Sequence, residues 1–209
     1  MNGTTTVSKT VDGGSIPSAP AKSIENHFGG FLFMKKPIQL LLQDHQYPFQ
    51  GISHTRPNAR AMLQNEAGLF AFNHILADDK FGHRDYLETL GGGIDPGESL
   101  TTAVVREVEE ESGLLSEVIM PIGVIEDAYH LIQRKNLNHY FYLKVIGVGH
   151  IRYTIQEKTL IHGLKWLSLA DAKAWYQRLP NQGIAQLIKQ RELPVIEWMI
   201  DWFNTQSHK

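Results

Sequence analysis

The chain has 209 residues, 42% apolar and 20% charged, enough for one domain with a sizeable core and too few for two. Twenty Lys and Arg against 22 Asp and Glu leave a net charge of −2, so no general pull toward nucleic acid or an anionic membrane is expected. Cysteine is absent, which removes disulfides, thiolate metal sites and cysteine nucleophiles together, and no apolar run reaches membrane-spanning length.

In chain order, residues 1–27 are rich in Gly, Ser, Thr and Pro without apolar periodicity. They read as a flexible tail that lacks the apolar centre of a secretory signal, so a cytoplasmic location is expected. Residues 28–58 read as an extension. Its first part, 28–42, predicts one or two short strands, with Pro37 arguing for a sheet edge. The second, 44–58, has the composition of a loop. Strands follow at 59–64 and 69–75, joined at hairpin spacing by Asn65-Glu66-Ala67-Gly68. A polar loop over 77–84 leads to a short strand at 86–90 and then to three glycines.

Residues 99–112 predict a helix closed by Gly113. Further strands are expected at 118–126, 139–146 and 165–167. Helices are expected at 169–178, at 184–190 and, begun by Pro194, at 194–204. The fold class is α/β in one domain. Its core spans 59–169, and the C-terminal helices of 170–209 pack on it. Residues 195–203 are apolar on most sides, so that helix is buried in its own domain or, alternatively, in a homodimer contact.

One segment stands apart: Gly92-Gly93-Ile94-Asp95-Pro96-Gly97-Glu98, seven further residues, then Arg106-Glu107-Val108-Glu109-Glu110-Glu111-Ser112-Gly113-Leu114. On a helix, Glu107, Glu110 and Glu111 fall within one turn on one face, while Val104, Val105, Val108 and Leu115 make an adjacent apolar stripe. Glu109 points elsewhere, toward solvent. Three carboxylates so placed repel one another unless a positive charge sits between them. A hard divalent cation supplies that charge, magnesium being the usual choice beside phosphate. The glycines let main chain approach the same place. Glu98, at the junction of loop and helix, is placed to pair with Arg106 and fix the loop.

This pattern resembles the Nudix box, Gly-x5-Glu-x7-Arg-Glu-U-x-Glu-Glu-x-Gly-U with U aliphatic. All nine fixed positions match: Gly92, Glu98, Arg106, Glu107, Val108, Glu110, Glu111, Gly113 and Leu114. Leu90 stands where many family members carry a proline before the glycines. The resemblance implies an α/β/α sandwich around a mixed sheet. It also implies a MutT-like pyrophosphohydrolase that depends on Mg²⁺, with Mn²⁺ as the alternative ion, acting on a small-molecule nucleoside diphosphate derivative. By the resemblance, Glu107, Glu110 and Glu111 are metal ligands, joined by the carbonyl of Gly91. Arg106 belongs to the catalytic set, and Gly92, Glu98 and Gly113 shape the box. The base that takes the proton of the attacking water is one of the helix glutamates or Glu157, in the loop before Trp166, with Glu126 and Asp127 as competitors.

Outside the box, Arg84, Tyr86, Tyr129 and Arg134 are the candidates for holding a base or a phosphate. A non-catalytic nucleotide-binding or sensor module on the same fold is the alternative function, but such modules commonly lose box carboxylates that this chain retains. No membrane partner is expected, nor a nucleic-acid one, since long RNA favours a basic surface.

Overall fold

The computed structural model describes residues 35–207. The expected tail of 1–27 and the first part of the 28–42 strand region lie outside the described residues.

Among the described residues, eight strands form one mixed sheet. In chain order the elements are β1 (Ile38–Leu41), β2 (His54–Gln64), β3 (Phe70–Asp79), β4 (Gly82–Glu88), β5 (Leu90–Gly93), α1 (Leu100–Ser112), β6 (Leu114–Tyr129), β7 (Arg134–Val148), α2 (Ile155–Leu160), β8 (Ile161–Leu167), α3 (Leu169–Arg178) and α4 (Gly183–Gln206). The strand order is β1-β6-β7-β2-β3-β4, with β5 beside β2 and β8 beside β3. The β1/β6 and β2/β7 pairs are parallel and the others antiparallel. Strand β1, directly after Pro37, lies at the edge of the sheet.

The period of two along β2 divides the sheet into its two faces. Ala59, Ala61 and Leu63 pack with Ala103, Val104 and Val108 of α1. On the opposite face Met62 joins Phe72, Tyr140 and Tyr142 against Tyr176 of α3 and Leu187, Ile188, Val195 and Met199 of α4. The result is an α/β/α sandwich with α1 on one side and α3 and α4 on the other.

Several boundaries differ from the sequence expectation. Strand β2 begins inside the expected loop, at His54, because β7 supplies a parallel partner from there onward. The 65–68 turn joins β2 and β3 through one register pair only, Gln64 with Phe70. Beyond that rung β2 turns to β5 and β7, and β3 to β4 and β8, so no extended hairpin forms. The polar stretch 77–84 is strand instead of loop. It is the solvent-exposed end of the β3–β4 hairpin, closed at Asp79 and Gly82 and braced by Arg84 to Asp79 at 2.9 Å. Thr89 interrupts the expected 86–90 strand, dividing it between β4 and β5.

Leu115 lies past the end of α1, in β6, and is 38% exposed, so it does not belong to the apolar stripe of the helix. The two expected C-terminal helices are one helix of 24 residues that passes through Pro194. Proline removes one main-chain donor, but Val195, Ile196 and Met199 beyond it are fully buried, and that burial carries the helix on. The apolar 195–203 segment is thus packed within its own chain. Among the described residues no helix is long and apolar enough to cross a membrane.

Candidate active site

The box helix starts at Ser99, whose side chain accepts the Thr102 N–H at 3.1 Å. It stops at Gly113, which takes the left-handed conformation at φ 69° and returns its N–H to the Glu109 carbonyl at 2.8 Å. Packing of Val104 and Val108 against the sheet turns Glu107 and Glu111 inward over β5, and both are buried. Glu107 lies directly over Gly92, where a Cβ would meet its Oε2 at 2.6 Å, so a side chain there would displace the Glu107 carboxylate. Glu111 accepts the Gly91 N–H at 2.8 Å and the Asn73 amide at 2.9 Å.

A third carboxylate joins these two from outside the box. Glu107, Glu111 and Glu157 each offer an oxygen, and the three oxygens lie within 4.8 Å of one another. Glu157 stands in the first turn of α2, not in a loop. Its side chain accepts the Thr154 N–H at 2.7 Å while the Thr154 hydroxyl accepts its own N–H at 3.3 Å, a reciprocal cap that fixes its direction. The Thr154-x-x-Glu157 spacing was the signal in the sequence for this helix.

Glu110, expected beside Glu107 and Glu111, is instead held by Arg106, Nη1 to Oε2 at 2.9 Å, and is not among the three converging carboxylates. Arg106 is the hub of the loop. It donates to both Glu98 oxygens, to Glu107, to Glu110 and to the Gly93 carbonyl, all at 2.9–3.0 Å. Glu98 also accepts the Asp95 N–H at 3.1 Å, which closes the loop on itself. Glu109, expected in solvent, lies 3.5 Å from Arg152.

Electrostatics separate these carboxylates. The hydrogen bonds from Arg106 hold Glu98 down to about 2. Burial pushes Glu111 up to about 8, against the Gly91 N–H that favours its charged form. Glu107 is also raised by burial, with Arg106 opposing and Glu157 adding to the shift. Buried carboxylates that cost so much to charge, converging with an oxygen each, match the donor set of a hard divalent cation.

The competing carboxylates lie elsewhere. Glu126 pairs with Lys135, and Asp127 accepts from Asn136 at 2.7 Å and Asn138 at 3.2 Å. Of the four candidates for substrate contact, Tyr86 and Tyr129 are core residues, 1% and 5% exposed, so neither offers a ring face to a base. Their hydroxyls are engaged by Arg84 and Arg191 at 2.8 and 2.7 Å. Arg84 is tied further to Asp79. Arg134 lies over the Tyr129 ring at 5.5 Å, and its Nε has no hydrogen-bond partner among the described residues.

Sequence reasoning also missed a network of buried charge on the α4 face. Arg191 and Glu192, adjacent in sequence and 1% and 0% exposed, meet at 2.7 Å. Arg191 faces Glu88 at 3.4 Å, and Glu192 accepts from the Thr89 hydroxyl at 3.1 Å. Arg60 reaches the Thr89 carbonyl at 3.2 Å and Glu88 at 3.5 Å. Thr89 directly precedes β5, so this network anchors the strand that carries Gly91.

Comparison with known proteins agrees with this fold. A protein of Bacillus subtilis (strain 168), named for 8-oxo-dGTP diphosphatase activity, is 35% identical over 78 residues, 37% of this chain and 47% of that protein. The chain thus matches about half the length of that relative. Among solved structures, a NUDIX hydrolase from Nitrosomonas europaea aligns with a TM-score of 0.53 at 20% identity, over 71% of this chain and 90% of the other. The MutT protein from Methanosarcina mazei Go1 aligns with a TM-score of 0.52 at 18% identity, over 78% and 100%. At those identities the likeness is one of fold. The NUDIX domain model matches residues 54–188, well over half of the sequence, and the chain belongs to the Nudix family.

Proposed function

We propose that the chain is a Mg²⁺-dependent hydrolase of a pyrophosphate bond in a nucleoside diphosphate derivative, (deoxy)nucleoside triphosphates included. The observation that carries this reading is the meeting of Glu107, Glu111 and Glu157, from two separate helices, within 4.8 Å of one another. When bound, the divalent ion, Mg²⁺ or Mn²⁺, polarises a phosphoryl oxygen and acidifies the attacking water.

The chain's own residues do the rest. Glu107, Glu110 and Glu111 would hold the ion together with the Gly91 carbonyl. Arg106, gripping Glu98 and the Gly93 carbonyl, keeps the glycine loop against the helix. Glu157, with one oxygen fixed by the Thr154 N–H, turns toward the other two carboxylates and takes the proton of the water. The retention of every box glutamate speaks against a binding-only role. The name of the Bacillus subtilis relative suggests an oxidised deoxyguanosine triphosphate as one member of the substrate panel.

The test is product analysis with Mg²⁺ and a panel of (deoxy)nucleoside triphosphates, ADP-ribose, dinucleoside polyphosphates and nucleotide sugars. Cleavage of one class that stops in chelator supports the proposal. Turnover that persists in chelator overturns it. For the base, Glu157→Gln is expected to lower kcat by about two orders of magnitude with little change in metal affinity. An unchanged kcat moves that role to the box helix.

A further inference from the structure

Strands β2 and β7 run parallel in the register His54 with Arg134, Arg56 with Asn136 and Asn58 with Asn138. The period of two puts Arg56, Asn58 and Arg60 on the same face as Arg134, Asn136 and Asn138. Most arginines here have a carboxylate: Arg60 faces Glu88, Arg84 faces Asp79, Arg152 faces Glu109, and Arg191 faces Glu88 and Glu192. Arg56 and Arg134, like the exposed Arg178 on α3, differ. Neither guanidinium has a hydrogen bond or an ion pair among the described residues, and Arg134 has only the Tyr129 ring beneath it.

The two belong to one neighbourhood. Arg134 is held below the usual arginine range first by burial and then by the positive charge of Arg56 and of Arg60, with Tyr129 and Asp127 opposing. Asp127 acts on Arg134 only through its charge and makes no ion pair with it. Its Oδ1 is taken by Asn136 and Asn138, and its Oδ2 faces Arg191 at 3.9 Å. The place also adjoins the box. The Arg56 guanidinium lies against Gly93, where a Cβ would approach its Nη2 to 2.9 Å, and the Gly93 carbonyl is the one that Arg106 holds.

Two neighbouring guanidiniums without an ion pair among the described residues, one of them partly desolvated, repel each other at a cost that a bound anion removes. Their planar forks suit the oxygens of a phosphate. We propose that Arg56 and Arg134 form a receptor for a phosphate group of the substrate, separate from the carboxylate trio. The inference rests on the hydrolase reading above and narrows its substrate to molecules with a phosphate to spare beyond the group at the trio.

The test uses inorganic phosphate as probe, in chelator, so that the carboxylate trio contributes no metal-borne affinity. Phosphorus NMR titration of the wild-type chain is expected to give saturable binding that weakens with salt. Arg56→Gln and Arg134→Met are each expected to weaken it by about tenfold or more, with thermal melts confirming that both variants fold. Arg56 is exposed, so its variant guards against a folding artefact at Arg134. Absence of phosphate binding, or binding that both variants keep, overturns the inference. Binding that both variants lose, in a protein that hydrolyses nothing on the panel, sinks the hydrolase reading and leaves the receptor standing. Hydrolysis without phosphate binding does the opposite.

Discussion

Arg106 grips Glu98 through both carboxylate oxygens, Nε to Oε1 and Nη2 to Oε2, each at 2.9 Å. This fork joins the loop of the box to its helix across eight residues, and the same guanidinium also donates to Glu107 and Glu110. A lysine cannot reproduce it, being a point charge without a planar pair of donors. Arg106→Lys is therefore expected to keep the fold and to lower turnover by about tenfold or more at saturating Mg²⁺. Steady-state kinetics beside a circular dichroism spectrum decide it, and wild-type turnover refutes the role given to Arg106.

The raised carboxyl of Glu111 makes stability depend on pH in a defined direction. Its folded value, about 8, lies above the ordinary 4.5. Between those values the folded chain holds a proton that the unfolded chain has released, so without divalent ion stability falls as pH rises through that window. Metal binding needs the carboxylate and displaces that proton. The gain in Tm on adding Mg²⁺ is thus expected to grow from about pH 5 to about pH 8. A gain that is flat or shrinks with pH contradicts the assignment.

The same logic separates stability from activity in one substitution. Glu111→Gln removes a carboxylate that is expensive to bury while keeping an oxygen for the Gly91 N–H. In chelator near pH 8 the variant is expected to melt above the wild type, and its turnover with Mg²⁺ to fall by about a hundredfold or more. A variant that melts lower in chelator shows that the empty trio is no burden.

On the α4 face the prediction runs the other way. Glu192→Ala leaves Arg191 buried without its nearest counterion, and the loss is expected to be about 3–5 kcal/mol. Replacing both residues with apolar ones of similar size is expected to cost much less. Urea denaturation of the two variants checks the difference, and equal losses refute the pairing.

The box was legible in the sequence because its chemistry is local. Glycines, an arginine and glutamates at fixed offsets lie within 23 residues, and the helix between them carries its own Ser99 and Gly113 stops. The order of strands and helices pointed only to an α/β domain, and the sandwich was expected from the resemblance that the box carries. Other features depended on distant partners. Strand β2 begins at His54 only because β7 lies beside it, and the exposed tip of the β3–β4 hairpin carries loop-like polarity although it is fully paired. Glu157 reaches Glu107 and Glu111 across some 50 residues of intervening chain, a meeting that no spacing rule encodes. Arg191 and Glu192 look like ordinary surface charges on a helix, and only the sheet packed over them shows otherwise.

Helix α2 has six residues, too few to persist without its cap and its neighbours. The third carboxylate therefore hangs on a segment that can open while the rest of the sandwich stays closed. Each local opening withdraws Glu157 and breaks up the trio. By reciprocity, a bound substrate whose attacking water reaches Glu157 also clamps α2 shut, so that seating that water and winding this single short helix are one equilibrium seen from two ends.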